Sequence, residues 1–453
     1  MAYATLSTYD EILKTYYLPG IQDYLNHETI LTDLIEVNET DISGKNATIE
    51  AHYGRSSGTG WRADGGTLPT ATYQKYKTCT VPMKYGYGRI YITGPTIAAT
   101  RDEKGAYARA LDSEIRGIVD DYKKEVNRQM WGNGYGILAR WRSTASGTSY
   151  TVQKKFTGNS AGGDAFGSAF GAKYLEDRGD AYVTVLVSTT GYTVTATDIA
   201  VSAVTRGAEY DTITCTDPSV TEAAGTVWVR PASLGTHAAS GAHRLEMMGI
   251  HGIVGDDDLD DLAMGATYSA GLSDYNDPLQ GLAVGTYPWF KAIVDAHSSG
   301  RYAAQRALDL TRLQTMFDMV EEAAGKDYGP DLMLTTRAIR REYLELCQAD
   351  RRFVNTMTLD GGWSALDYNG VPFVVDNDAL DGEIYFLTLK DLQLFRMSDY
   401  QWMEKDGAVL SRISGVDAYE AVFYRYAELG VKNRATQGVL SSLSYTKGTN
   451  EGY

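Results

Sequence analysis

The chain has 453 residues, a length that suggests about two to three structural units. Hydrophobic residues make up 43% and charged residues 22%, which excludes a globally disordered chain. The formal net charge of -16 excludes a basic grip on nucleic acid, because phosphate binding needs clustered Lys and Arg.

The cysteines, Cys79, Cys215 and Cys347, are odd in number and far apart, which argues for a reducing compartment and against a disulfide framework. Met1 to Asp10 has neither a basic n-region nor an apolar h-region, and no apolar run approaches the length of a membrane helix. The expectation is a soluble intracellular protein of mixed α and β structure. Tyr outnumbers Phe by 33 to 10. Tyr suits surfaces where a ring packs while its hydroxyl still finds water, so the surplus points to protein–protein contact.

Residues 1–40 read as an arm, with a short amphipathic piece from Tyr9 to Tyr17 and one base, Lys14, against seven acids. Residues 41–95 change character. Glycines at 44, 54, 58, 60, 65 and 66 punctuate the stretch, and strand-like flanks run over Ala47–Tyr53 and Tyr73–Ile92. This predicts an extended β-hairpin projecting from a body. Its charge is the opposite of the arm's, with seven bases against three acids.

Residues 101–131 give the clearest helical signal. Ala108, Leu111, Ile115, Ile118, Tyr122, Val126 and Met130 recur along one face. Asp112 and Asp120 precede Arg116 and Lys124 by four residues, a supporting spacing, and Gly132 and Gly134 end the run. At about 1.5 Å per residue the helix is roughly 45 Å long, suited to a strut.

Residues 143–179, rich in Gly, Ser and Ala, read as loop. Residues 180–229 then turn β, rich in Thr and Val with alternation through Tyr192–Thr197, and predict a small antiparallel unit inserted into the main fold. From 306 onward helix and strand alternate. A helix carries Leu313, Met316, Phe317, Val320 and Ala324. A buried strand covers Asp331–Thr335. A second helix, capped by Thr335 or Thr336, carries Ile339, Tyr343 and Leu346. Strands are predicted at Val371–Val375 and Glu383–Leu387, a short helical piece at Leu389–Leu394, and strands again at Ala418–Tyr426 and Leu429–Val431.

Motifs for chemistry are sparse. H-E-x-x-H, G-x-S-x-G and the Walker-type phosphate loop are all missing from the sequence. Gly132-Asn133-Gly134-Tyr135-Gly136 follows a helix rather than a strand, the wrong context for a dinucleotide loop. The run Asp256–Asp261 holds five carboxylates but lacks the spacing of a calcium loop, so it reads as a solvated acidic loop. His237, His243 and His251 fit no zinc spacing, and Cys79 beside Lys77 reads as a half-buried thiol. Neither a catalytic set nor a cofactor or metal is expected.

The order of elements is the informative signal. The hairpin tip Arg55-Ser-Ser-Gly-Thr-Gly-Trp61-Arg62-Ala-Asp-Gly-Gly66, the helix Arg101–Trp131, the pair Asp331–Arg337 and Gly370–Asp376, and the strand Glu383–Leu389 follow one another. This ordered set resembles the Hong Kong 97-type major capsid proteins of tailed bacteriophages. The resemblance covers residues 1–140 and about 246–440.

It implies an α+β, Hong Kong 97-type capsid fold with an N-terminal arm, an extended β-hairpin loop, a long spine helix, and peripheral and axial domains. The implied division is 1–40 arm, 41–95 extended loop, 96–142 spine helix and start of the peripheral domain, 143–245 an inserted β-rich domain, 246–305 a connecting segment, 306–400 the axial α/β domain, and 401–453 returning peripheral strands and tail.

The function implied is a structural, non-enzymatic shell subunit that self-assembles into hexamers and pentamers of an icosahedral head. Such a head encloses double-stranded DNA without sequence-specific binding and touches no membrane. Portal protein and separate scaffolding or decoration proteins are the further partners, and the implied location is the virion capsid, assembled in the host bacterial cytoplasm. Because the arm begins almost at Met1, the expectation is a chain without a leading scaffolding segment, served by a separate scaffolding protein or by none.

Inter-subunit contact candidates are Arg55, Trp61, Arg62, Lys75, Lys77 and Arg89, with the basic loop clasping acidic surface of a neighbour. Some relatives join a loop Lys to an Asn of a neighbour, and Lys75, Lys77 and Asn433 are the residues available for that. The alternatives are an encapsulin-like nanocompartment shell and a soluble hydrolase with a β-rich binding module.

Overall fold

In a computed structural model of the chain, the described residues are 31, 34–94, 104–134, 136–140, 148–153, 171–176, 182–187, 193–207, 210–215, 227–229, 245–257, 278–298, 305–324, 329–349, 356–358, 364–404 and 409–446. The predicted piece Tyr9–Tyr17, most of the arm, His237, His243 and Asp258–Asp261 lie outside them.

The chain opens with β1 (Glu36–Asn38), β2 (Ile42–Ser43) and β3 (Asn46–Gly54), followed by β4 (Lys75–Pro82), β5 (Lys84–Thr93) and the helix α1 (Lys104–Trp131). Next come β6 (Ile137–Arg140), β7 (Ser149–Gln153), β8 (Tyr182–Val187), β9 (Thr193–Thr205), β10 (Tyr210–Cys215) and β11 (Val227–Val229). Then follow β12 (Ile293–Asp295), α2 (Leu310–Ala324), β13 (Leu332–Thr335) and α3 (Arg337–Ala349). The last elements are β14 (Thr356–Thr358), β15 (Ser364–Tyr368), β16 (Val371–Val375), β17 (Ile384–Leu387), β18 (Leu392–Trp402), β19 (Ser411–Arg412), β20 (Ala418–Val431) and β21 (Gly438–Leu440).

These strands form four sheets. β3 and β4 pair antiparallel from Asn46↔Pro82 to Gly54↔Lys75, with β2 beside β3. The second sheet is built on β20. One edge of β20 pairs with β5, from Thr93↔Ala418 to Lys84↔Ala427, and the other with β18 and β19. β1 lies parallel to β18. A six-stranded sheet runs in the order β6-β11-β8-β9-β10-β7, and a seven-stranded sheet in the order β12-β21-β17-β13-β16-β15-β14.

At its centre the seven-stranded sheet is buried on both faces, and β13 and β17 are runs without a polar alternation. All four residues of β13 and of β17 are buried. Because successive side chains point to opposite faces, Leu332, Leu334, Tyr385, Leu387 and Val439 meet Met130 and Trp131 of α1 on one side. Met333, Phe373, Ile384, Phe386 and Leu440 meet α2 and α3 on the other. Asn369 (φ 53°) and Gly370 (φ 81°) turn β15 into β16, as the two left-handed positions of a tight hairpin require.

α1 has 28 residues, about 42 Å at ~1.5 Å per residue. Its apolar face lies on β5 at two glycines. A Cβ on Gly86 would stand 2.1 Å from the Tyr122 hydroxyl, and one on Gly88 would stand 3.1 Å from Ile118. The run Tyr85-Gly86-Tyr87-Gly88 is therefore a strand that is bare toward the helix and aromatic toward the opposite face. Tyr122 then sets its edge against Phe423 and Tyr400 at centroid distances of 5.5 and 5.6 Å.

The structure departs from the sequence reading at four places. Ser149–Gln153, inside the stretch read as loop, is a strand whose Tyr150 and Val152 are buried in the core of the six-stranded sheet. Leu389–Leu394 is not a helical piece. A single turn over Leu389–Asp391 gives way to the 11-residue strand β18, because both faces of Leu392–Phe395 are covered. β20 runs unbroken over Ala418–Val431, since β5 and β18 hold it on both edges. Neither Thr335 nor Thr336 caps α3 with its side chain. The Thr335 hydroxyl donates to the Glu383 carbonyl at 2.8 Å, and the buried Thr336 hydroxyl has no partner among the described residues.

Candidate assembly interface

The β3–β4 ribbon is seated on the body only along its lower half. Ala47, Cys79 and Val81 are buried at its base. Half-way up, Tyr53 stacks on Trp289 at 5.0 Å with rings 6° from parallel, and the Lys77 ammonium lies 5.2 Å over the Tyr287 ring. A hydrogen bond with Tyr287 raises the pKa of Lys77, and burial raises the Cys79 thiol to about 11 against the pull of Lys77. Cys79 is thus a buried, protonated thiol rather than a nucleophile, and all three cysteines are free and buried.

Beyond Gly54 and Lys75 the ribbon opens into the tip 55–74, held by its own polar contacts. The Ser56 hydroxyl donates to the Thr72 carbonyl at 3.0 Å, and Arg62 Nε donates to the Thr67 carbonyl at 2.9 Å. Trp61 is 100% exposed, Leu68 82% and Tyr73 79%. Such residues on an isolated ribbon have no apolar surface of their own to cover. Burying one Trp of roughly 200 Å² at about 25 cal/mol per Å² has a gross worth of ~5 kcal/mol, which the lone chain forgoes.

Three of the six contact candidates, Arg55, Trp61 and Arg62, are thus gathered on the exposed tip, and Lys75, also exposed, stands at its foot as the first residue of β4. Lys77 sits lower, on Tyr287. Arg89 belongs to another sheet, where its guanidinium pairs with Glu420 across β5 and β20 at 2.7 Å. Asn433 is exposed at the start of a short turn, its side chain accepting from the Ala435 N–H. The last acids of the arm are engaged within the chain, since Arg396 on β18 donates to Glu39 at 2.8 Å and Gln393 to Glu36 at 3.3 Å.

A second open surface was not read from the sequence. The face of β5 and β20 turned away from α1 carries Tyr85, Tyr87, Tyr91, Tyr424 and Tyr426. The first three are 49%, 56% and 51% exposed. Tyr85 meets Tyr426 edge-on at 5.0 Å, and the Tyr87 and Tyr426 hydroxyls lie 3.3 Å apart. The signal was the alternation of Tyr with Gly or Arg at 85–88 and 424–426, joined to the overall tyrosine surplus.

A buried polar junction also escaped the sequence reading. Arg128 of α1 pairs with Glu125 one turn back and with Glu246, all nearly fully buried. Burial opposes the Arg128 charge, but Glu125 and Glu246 more than offset it and hold the guanidinium protonated. Alongside, Asp378 accepts from Asn127 of α1, from the Lys173 ammonium and from the Tyr174 hydroxyl, the last at 2.9 Å. The Asp378 N–H in turn donates to Asp376 at 2.8 Å, and burial together with the Asp378 charge raises the pKa of Asp376. The junction fastens α1, the six-stranded unit and the loop after β16 together.

Among the described residues no cluster of three or more His, Cys, Asp or Glu is arranged to hold a metal, and His251 is instead buried 3.4 Å from the Tyr385 hydroxyl. No helix of the described residues is long and apolar enough to cross a membrane.

No protein-family model matches the chain, and no curated protein matches it. Among solved structures, a chain of the cyanophage A-1(L) capsid asymmetric unit corresponds to 92% of this chain and 93% of its own length, with a TM-score of 0.52 and 12% identity. The fold is that of a phage capsid chain. The capsid of the Myoviridae phage XM1 corresponds over 91% of both chains at a TM-score of 0.41 and 7% identity. An encapsulin of Synechococcus elongatus corresponds over 38% of this chain and 58% of its own, at a TM-score of 0.27 and 13% identity. Within the capsid fold, the exposed tip and the tyrosine face are two surfaces that a single copy leaves uncovered.

Proposed function

We propose that the chain is the major capsid protein of a tailed bacteriophage, a Hong Kong 97-type shell subunit that self-assembles into hexamers and pentamers around double-stranded DNA. The observation that carries this reading is the correspondence with the cyanophage capsid chain over nine-tenths of both chains. The element order supports the finer assignment. β3 and β4 form the extended loop, α1 the spine helix, the sheet around β20 the peripheral domain, and the seven-stranded sheet with α2 and α3 the axial domain. The six-stranded sheet is the inserted β-rich unit; five of its strands fall within 143–245, and its edge strand β6 lies just before, at Ile137–Arg140.

The work of such a subunit is association, not turnover. Closed shells use heterologous contacts, in which one surface of a copy meets a different surface of the next. The tip residues Arg55, Trp61 and Arg62, with Lys75 at the foot of the tip, suit that task, because an exposed aromatic anchor flanked by cations gains most when a neighbour covers it. Lys77 and Arg89 remain contact candidates through their exposed sides. An acidic chain encloses DNA without gripping it. Portal protein is the further partner of such a head, and the place of action is the virion capsid after assembly in the host bacterial cytoplasm.

Sedimentation of the purified chain tests the reading. Species of five or more copies are expected at micromolar concentration, and a monomer at every salt and protein concentration overturns it. Nucleic acid inside purified particles supports the phage head, whereas protein cargo identifies a nanocompartment shell.

A further inference from the structure

α2 and α3 carry charge at the wrong ends for their own dipoles. A helix favours acids in its first turn and bases in its last. α2 ends on Glu321 and Glu322 with no base in its last turn, and Asp318 stands one turn earlier. α3 begins with Arg337, Arg340 and Arg341 and has no acid in its first turn.

Nor are these charges satisfied by each other. Arg337 and Glu322 are exposed, and among the described residues neither Arg337, Arg340, Glu321 nor Glu322 has an ion-pair or side-chain hydrogen-bond partner. The Arg340 Nε is buried and unpaired. Arg341 donates to the Thr446 carbonyl at 2.8 Å, and Asp318 accepts from Gln314 at 2.7 Å. Met319 is 40% exposed, three residues from Glu322 on the same side of α2.

Both helices pack on the same face of the seven-stranded sheet through Met316, Val320, Ile339 and Tyr343, so the two patches belong to one layer of one copy. In a chain of net charge -16, Arg337 and Arg340 at a helix start suit an acidic patch on a second copy. Ring closure by heterologous contact sets one patch of a copy against a different patch of the next, and opposite charges fix which patch meets which.

We propose that the acidic end of α2 in one copy docks against the arginine start of α3 in a second copy of this chain, with Met319 at the centre of the contact. The inference rests on the shell reading above and adds to it the surfaces that join neighbours around a ring.

Charge reversal combined with disulfide trapping tests it in the full chain. Arg337→Glu alone and Glu322→Arg alone each lower the assembled fraction about tenfold in light scattering, and the double reversal restores it to about the wild-type level. Arg412→Glu, an exposed reversal elsewhere, leaves assembly unchanged. Separately, Glu322→Cys combined with Arg337→Cys gives a ladder of covalent multimers under mild oxidation, read against a low background because the native cysteines are buried. Wild-type particles that form while the single reversals assemble normally and no ladder appears overturn this contact and leave the shell reading intact. A wild-type chain that never assembles overturns the shell reading, and the contact with it.

Discussion

Glu428 gives the stability of this fold a pH dependence that can be worked out in advance. It sits in β20, 2% exposed, and its carboxylate accepts the N–H groups of Met248 at 2.5 Å and Leu429 at 3.1 Å. Burial raises its pKa from 4.5 to about 7, although Lys84 and the two N–H groups pull the other way. A carboxyl whose folded pKa is raised contributes stability that is complete below its unfolded pKa and is lost as pH rises through the folded pKa. The relevant window is therefore pH 4.5 to about 7. At ~1.4 kcal/mol per pH unit, the loss across that window is roughly 3 kcal/mol.

Glu428→Gln keeps one acceptor for an N–H and removes the ionisation. Urea denaturation of the subunit, followed by tryptophan fluorescence across pH 4 to 8.5, should show the variant gaining on the wild type as pH rises through the window. Its advantage should level off above about pH 8. A difference between the two proteins that does not vary with pH would refute the reasoning.

Further predictions concern packing, the buried junction and the tip. Gly86→Ala places a Cβ against the Tyr122 hydroxyl and should cost about 1–3 kcal/mol, most of it recovered in a Tyr122→Phe background, as thermal unfolding will show. Arg128→Ala removes the buried cation that pairs with both Glu125 and Glu246 and should cost about 3–5 kcal/mol, whereas Arg128→Met with Glu125→Leu and Glu246→Leu should lose far less. Trp61→Ala should leave the unfolding temperature of the isolated subunit unchanged while lowering particle yield, because its fully exposed ring touches nothing in its own chain that stabilises the fold. Arg55→Ala with Arg62→Ala should reduce both capsid yield and the salt sensitivity of assembly; unchanged values would remove the basic tip from the contact.

What was legible in the sequence followed from local pattern. α1 was readable because its apolar positions recur on one face, and the ribbon because six glycines interrupt strand-like flanks. β13, β16 and β17 were readable as apolar runs between turn residues. β18 was missed because Leu389, Leu392 and Leu394 imitate helical spacing, and only its long pairing with β20, residues away in sequence but adjacent in space, holds it extended. β7 was missed because five residues with two buried side chains give a weak signal inside a Gly- and Ser-rich stretch. The junction could not be read at all, since Asn127, Lys173 and Asp378 meet only after folding and none of them stands in a local motif. The tyrosine face was half legible. Its alternation is visible in the sequence, but only the pairing of β5 with β20 brings Tyr85 and Tyr426 together.

Electron microscopy of the purified chain tests the central claim most directly. The account predicts closed hollow shells with icosahedral symmetry, or rings of five or six copies where closure is incomplete, with the ribbon tips covered by neighbours. A stable monomer under all conditions, with Trp61 still open to solvent, would contradict it.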